Sequence, residues 1–159
     1  KNILPPPKGE ENYNAIQMVC TIDFWLYCSM FFAGIGSGVV VFNNLGSMVI
    51  SYGGHNGDQN KFVIILSLAN CSGRILFGFF SDRFAAYATR VTFFNLALFG
   101  MCLSQLYFVF ATYPLWFYPG IIFIGIFYGG LFCLGPSFLS ERFGSKYIAV
   151  NGTLANLCK

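Results

Sequence analysis

The fold class is decided by residues 62–83, whose sequence is FVIILSLANCSGRILFGFFSDR. Positions 62–80 form an apolar run of about 19 residues, and Arg74 is the one charge within it. This length matches the roughly 20 residues that an α-helix needs to cross the hydrocarbon core of a bilayer. The stretch therefore predicts a membrane-spanning helix that ends at the polar residues Ser81, Asp82 and Arg83.

Three further apolar runs surround this segment, at about 24–50, 91–111 and 117–139, and a fifth starts at about 147. The first run, of about 27 residues, would be about 40 Å long as a helix, so we expect it to tilt or bend within the roughly 30 Å core. The chain is 56% hydrophobic and 9% charged, whereas a soluble domain carries about 25% charge. We predict an all-α, multi-pass transmembrane helix bundle.

The polar ends of the spans predict the topology. Residues 1–21, which include three consecutive prolines, are interpreted as a cytoplasmic linker, and residues 22–159 as the helical unit. The side of the membrane that carries only Lys61 should be external, since basic residues concentrate in cytoplasmic loops. The other side carries Lys1, Lys8, Arg83, Arg90, Arg142 and Lys146. We expect the chain to be part of a longer protein, because it lacks an initial Met and stops within the fifth run.

Arg74 is the residue that says most about function. A cation well inside a span costs about 2.5–3.5 kcal/mol on insertion scales, so it is expected to face a cavity or an anionic partner. Asn70, Arg74 and Gly78 follow one another at four-residue spacing and share one stripe of the helix. Arg74 is a candidate for binding a substrate carboxylate, which a guanidinium matches in bidentate fashion. The alternative is structural, because a side chain about 12 Å from Asp82 can also snorkel or pair within the fold.

Other polar side chains within the spans are weaker candidates. Asn43 and Asn44 lie in the outer third of the first span and would bind either a polar substrate or a neighbouring helix. Tyr27 and Tyr128 would either line the cavity or pack against other helices. Gln105 is isolated in the third span, where a hydrogen bond between helices is the favoured interpretation.

Glycines and cysteines of the spans point to packing rather than chemistry. The G-x-x-x-G pairs at Gly34 and Gly38 and at Gly125 and Gly129 predict tight helix contacts within the bundle, in preference to a dimer face. The six cysteines show no C-x-x-C pair and no metal-ligand spacing. No cluster of His, Asp, Glu or Cys suggests catalysis, so we expect neither an enzyme nor a bound metal or cofactor.

The loop that follows residue 77 carries a recognisable motif. Gly78, Asp82 and Arg83 give the pattern G-x-x-x-D-R at the cytoplasmic end of a span. This resembles the loop signature of the major facilitator superfamily of transporters, and the later basic residues of that signature are replaced here by AAYATR at 85–90. The degraded copy is typical of the second half of that fold. By this resemblance the spans correspond to helices seven to ten and the start of helix eleven of a twelve-helix protein.

Three stretches refine the resemblance. Residues 23–46, 73–82 and 135–146 together look like nodulin-like transporters, and the last stretch is also similar to oxalate/formate antiporters. The pattern from Asn70 to Arg74 is similar to an Asp-x-x-x-Arg pattern of monocarboxylate transporters, in which the Arg is taken to bind carboxylate. Asn70 stands where that family has Asp, so proton coupling through this position is not expected.

The resemblance implies a secondary active transporter of a small solute that works by alternating access. The solute would be an organic anion such as a mono- or dicarboxylate, and Gly78, Asp82 and Arg83 would hold the cytoplasmic gate. Expected partners are the lipid bilayer, the solute and the N-terminal half of the same protein. Nucleic acid is not expected, because the nine basic residues are scattered and the net charge is only +3. The alternative function is a non-transporting membrane sensor or scaffold with the same fold.

Overall fold

A computed structural model describes residues 13, 15–51, 53–54, 57–85, 87–110, 113–144 and 153 of the chain. All regular structure in these ranges is helical. The helices are α1 (Ala15–Val19), α2 (Ile22–Ser51), α3 (Asp58–Arg83), α4 (Arg90–Phe110) and α5 (Pro114–Phe143).

Four of these helices, α2 to α5, are long and apolar enough to cross a membrane. With 30 residues, α2 is about 45 Å long, which exceeds the hydrocarbon core as expected from the sequence. Helices α2, α3 and α5 contain their apolar runs and extend into the polar flanks, as α3 does from Asp58 to Arg83. The prediction of an all-helical, multi-pass membrane protein is confirmed at this level. The start of a fifth span at about 147 lies outside the described residues, apart from Thr153.

Helix α5 is the centre of the bundle and packs chiefly against α3 and α4. Its residues Ile121, Ile124 and Leu131 are completely buried, as expected for a helix that is apolar on all sides. Pro119 and Pro136 lie inside it, and proline is tolerated in membrane helices because neighbouring groups satisfy the freed backbone.

Glycines bring α3 and α5 into backbone contact. A Cβ atom on Gly73 would overlap the backbone of Ile126, and one on Gly129 would overlap the carbonyl group of Asn70. A Cβ on Gly125 would lie 2.6 Å from the Cβ of Ala69. Small residues permit this approach in membrane bundles. The expectation that Gly125 and Gly129 pack helices within the chain is therefore confirmed.

Stacked aromatic rings fill the space between α2, α4 and α5. The ring of Tyr27 is 5.1 Å from Phe138, 5.2 Å from Phe31 and 5.8 Å from Phe94, measured between centroids. All four side chains are buried. Aromatic pairs in this geometry add about 0.5–1.5 kcal/mol beyond the burial of their area, so the stack ties the three helices together.

The end of the bundle that carries Arg83, Arg90 and Arg142 is more structured than the composition of the first 21 residues predicts. Residues Ala15–Val19 of the predicted linker form the short helix α1, and Met18 is completely buried. The backbone N–H of Tyr13 donates to the carbonyl of Phe143 at 3.0 Å. A few apolar side chains in an otherwise polar segment are thus enough to dock its last part on the bundle.

Candidate functional site

Arg74 lies in the middle of α3, eight residues before Asp82, and its side chain is exposed on the surface of the described bundle. Its Nε donates a hydrogen bond to Oδ1 of Asn70 at 3.1 Å. The two residues are four positions apart on one helix face, so the predicted stripe brings them together. Among the described residues no carboxylate forms an ion pair with Arg74.

The guanidinium of Arg74 also rests on an aromatic ring of α5. Its Cζ atom lies 5.3 Å from the centroid of Phe132, which is within the range of a cation–π contact. The terminal Nη groups make no hydrogen bond with any described residue. One side of the guanidinium is therefore held by Asn70 and Phe132, while its outer donors face open space.

A line of aromatic rings continues from Phe132 to α2. Phe132 makes an edge contact with Tyr128 at 5.0 Å, and Tyr128 lies 4.9 Å from Phe42 of α2. The ring of Tyr128 presses on Gly38, where a Cβ atom would overlap it. Tyr128 therefore occupies the space between α2 and α5, beside the Phe132 ring on which the guanidinium of Arg74 lies. The sequence indicated Tyr128 as a candidate but not Phe132 or Phe42, because a phenylalanine inside an apolar run has no polar atom that would distinguish it.

The close contact of α3 with α5 fixes the position of Asn70. Gly129 faces both the backbone carbonyl and the side-chain oxygen of Asn70, and the side-chain oxygen would lie 3.0 Å from a Cβ at Gly129. Any larger residue would push Asn70 away from α5. The glycine thus sets the helix separation that positions Asn70, and through it Arg74.

The other predicted binding residues lie at different distances from this group. Asn43 and Asn44 are exposed on α2 next to Phe42, and Asn44 donates from Nδ2 to the carbonyl of Val40 at 2.8 Å. No hydrogen bond within the described ranges joins either asparagine to Arg74. Tyr27 is 2% exposed in the aromatic stack, and Phe31 from that stack contacts Phe132 at 6.4 Å. Whether these residues contact a solute stays a prediction.

Gln105 behaves as the sequence suggested. Its Nε2 donates to the backbone carbonyl of Ser37 at 3.1 Å, which joins α4 to α2. An amide side chain inside a span can donate a hydrogen bond in this way when a neighbouring helix offers a backbone carbonyl. Gln105 is therefore a contact between helices.

The G-x-x-x-D-R motif lies at the end of α3. Asp82 accepts a hydrogen bond from Nη2 of Arg90 at 3.3 Å, which links α3 to the start of α4. Gly78 faces Cys133 of α5 at 3.2 Å from its would-be Cβ. Arg83 is exposed and makes no ion pair or hydrogen bond with described residues. Of the three motif residues, Asp82 thus makes the charge contact between helices.

A second ion pair at the same end was not predicted. Arg142, in the last turn of α5, donates from both Nε and Nη2 to Oδ2 of Asp23, in the first turn of α2, and the Nε distance is 2.9 Å. Opposite charges at the polar ends of two spans were the available signal, but 119 positions separate them. At this end of the bundle, Asp23–Arg142 thus joins α2 to α5, and Asp82–Arg90 joins α3 to α4.

Within the part of the chain that the structure describes, no group of three or more His, Cys, Asp or Glu side chains could hold a metal ion. The candidate site that the structure assembles consists of the exposed guanidinium of Arg74 with Asn70, Phe132 and Tyr128. Comparison with models of protein families, with curated proteins and with solved structures finds no match to this chain.

Proposed function

We propose that the chain is half of a major facilitator-type secondary transporter, of the nodulin-like kind, and that it moves a small organic anion by alternating access. The observation that carries the proposal is Arg74: a permanent cation in the middle of a membrane-spanning helix, with no anionic partner among the described residues. Such a charge is costly in a bilayer, and it is typically found facing a solute pathway.

The surroundings of Arg74 suit a carboxylate. The Nε atom is engaged by Asn70, so the ring of Phe132 and this bond hold the guanidinium in one orientation. The two Nη groups are left to donate side by side, which matches the two oxygens of a carboxylate. A mono- or dicarboxylate is therefore the substrate class that this geometry favours.

The same surroundings argue against proton coupling at this position. Asn70 is an amide and takes up no proton in the physiological range. A carboxylate that bound next to Arg74 would be neutralised by the guanidinium alone. We infer that any coupling ion binds elsewhere in the complete protein.

The two ion pairs at one end of the bundle hold the ends of its helices together. They join α2 to α5 and α3 to α4 through exposed side chains, and exposed pairs are worth about 0–1 kcal/mol each. Because both pairs lie within this half, they would keep its helix ends in place on the face where a gate closes as two halves rock around a midplane site. The missing N-terminal half would cover the open side of Arg74 and complete the cavity.

Uptake by the full-length protein in proteoliposomes tests this function. Labelled mono- and dicarboxylates should accumulate with wild type, and transport should be lost in Arg74→Ala and strongly reduced in Arg74→Lys, which lacks the planar fork. Lys61→Ala is the matched control, since Lys61 is a cation of the same helix that pairs with Asp58 at its end. Failure of the wild-type protein to move any carboxylate would favour the sensor or scaffold alternative, which the loss of the family's Asp at position 70 supports.

A further inference from the structure

We propose that the groove between α3 and α4 binds the acyl chain of an acidic glycerophospholipid whose headgroup is held by Arg83 and Arg90. This inference is independent of the transport proposal. It rests on the groove's lining, on its length and position, and on the charges at its mouth.

The groove exists because α3 and α4 lean on α5 and touch each other little. It has a volume of about 360 Å³, and every side chain that lines it is aliphatic or aromatic. The lining residues are Leu76, Phe77, Phe80, Phe84, Phe93, Leu96 and Ile126. A cleft without a polar group offers nothing to a hydrophilic solute, whereas it offers dispersion contacts to a hydrocarbon chain.

The groove is nearly as long as one leaflet of the hydrocarbon core is thick. From Leu76 to Phe84 the helix rises over eight residues, which is about 12 Å, and half of the hydrocarbon core is about 15 Å. Phe84 closes α3 at the end that carries the loop arginines. An acyl chain that enters at Phe84 would thus reach Leu76 while its headgroup stays at the membrane surface.

The mouth of the groove carries more positive than negative charge. Arg83 immediately precedes Phe84 and has no ion pair among the described residues, and Arg90 lies one turn before Phe93. The bond from Arg90 to Asp82 is 3.3 Å long, which is longer than the 2.7–2.9 Å of a strong charge-assisted bond. Two guanidinium groups and one carboxylate leave a net positive charge at the mouth. This charge favours a lipid headgroup with a net negative charge over a zwitterionic headgroup.

The topology agrees with an acidic lipid. Basic residues concentrate at this end of the helix bundle, and such a concentration is typical of the cytoplasmic side. Acidic lipids are enriched in the cytoplasmic leaflet, and each basic side chain near the surface attracts them by an amount that corresponds to about fivefold in affinity. Charge complementarity at the mouth and apolar lining in the groove therefore select the same molecule.

Native mass spectrometry of the full-length protein in detergent tests the proposal, with phosphatidylglycerol and phosphatidylcholine of identical acyl chains as probes. We expect wild type to retain phosphatidylglycerol at least about fivefold more tightly, and Arg83→Gln to lose about fivefold. Leu96→Trp, which fills the groove, should weaken both lipids. The controls are Lys61→Gln at the opposite end and Leu68→Trp on an exposed face of α3 outside the groove, and both should bind like wild type.

Three outcomes would overturn the proposal. Equal retention of the two lipids would remove the role of the arginines. An equal loss in Lys61→Gln and Arg83→Gln would show attraction to net charge rather than to this groove. A dimer in the wild-type spectrum that Leu96→Trp dissociates would show that a second copy covers the groove. Arg83→Gln keeps the test decisive if the groove-filling variant fails to fold, since Arg83 is exposed.

Discussion

The guanidinium of Arg74 donates from Nε to the side-chain oxygen of Asn70 at 3.1 Å, inside a membrane-spanning helix and four residues away. Asn70 itself is pressed against Gly129 of α5. The orientation of the one cation in the middle of α3 is thus set by an amide whose position depends on the packing of two helices. This arrangement leads to specific expectations for each residue.

Converting Asn70 to a carboxylate should create a competitor for the substrate. In Asn70→Asp the new carboxylate would pair with Arg74, and we expect at least a tenfold weaker carboxylate affinity at neutral pH. Affinity should stay low at every pH at which the substrate is ionised, because a neighbouring guanidinium keeps the introduced Asp ionised over that range. Uptake measured as a function of pH checks this. Asn60→Asp makes the same change at an exposed site near the start of α3 and should bind the carboxylate like wild type.

Adding one methyl group at Gly129 should separate α3 from α5. A Cβ atom there would overlap the Asn70 carbonyl, and overpacking of this kind costs about 1–3 kcal/mol. We expect Gly129→Ala to lower the thermal unfolding midpoint in detergent and to weaken substrate binding through displacement of Asn70. Gly36→Ala is the matched control, because its new Cβ would meet no described atom within 4 Å. Equal midpoints for the two variants would contradict the packing account.

The Asp23–Arg142 pair should hold the end of α2 against α5 more than it stabilises the fold. Both side chains are about half exposed, so the pair is expected to contribute at most about 1 kcal/mol to folding. With the other five cysteines replaced by Ser, the buried thiol of Cys28, five residues further along α2, should react faster with a maleimide in Asp23→Asn, because the end of α2 separates from α5 more often. The charge swap Asp23→Arg with Arg142→Asp should restore slow labelling. Fast labelling in the swapped protein would show that the pair does not hold the two helix ends together.

Much of the fold could be predicted because a bilayer imposes a simple rule on the sequence. Apolar runs of sufficient length mark the spans, and the i, i+4 spacing of Asn70 and Arg74 predicts their contact within one helix. The G-x-x-x-G pair at Gly125 and Gly129 predicts close helix packing. In each case the signal is local, so no knowledge of the tertiary arrangement is needed.

The contacts that depend on which helix faces meet could not be predicted in the same way. Phe132 lies under Arg74 because α5 packs on α3, yet it is one of 20 phenylalanines and has no distinguishing neighbour in sequence. The Asp23–Arg142 pair joins positions 119 residues apart. Helix α1 could not be predicted, because the overall composition of residues 1–21 is polar although Met18 within them is buried.

The most direct test of the central claim is equilibrium binding of a small carboxylate and of its matching primary amide to the purified full-length protein. If Arg74 recognises the carboxylate through its free Nη donors, wild type should bind the acid at least about tenfold more tightly than the amide, as expected for a charge-assisted contact. Arg74→Ala should bind both equally weakly while remaining folded. Equal binding of acid and amide by wild type, or unchanged preference in Arg74→Ala, would contradict the assignment of Arg74 as the anion site.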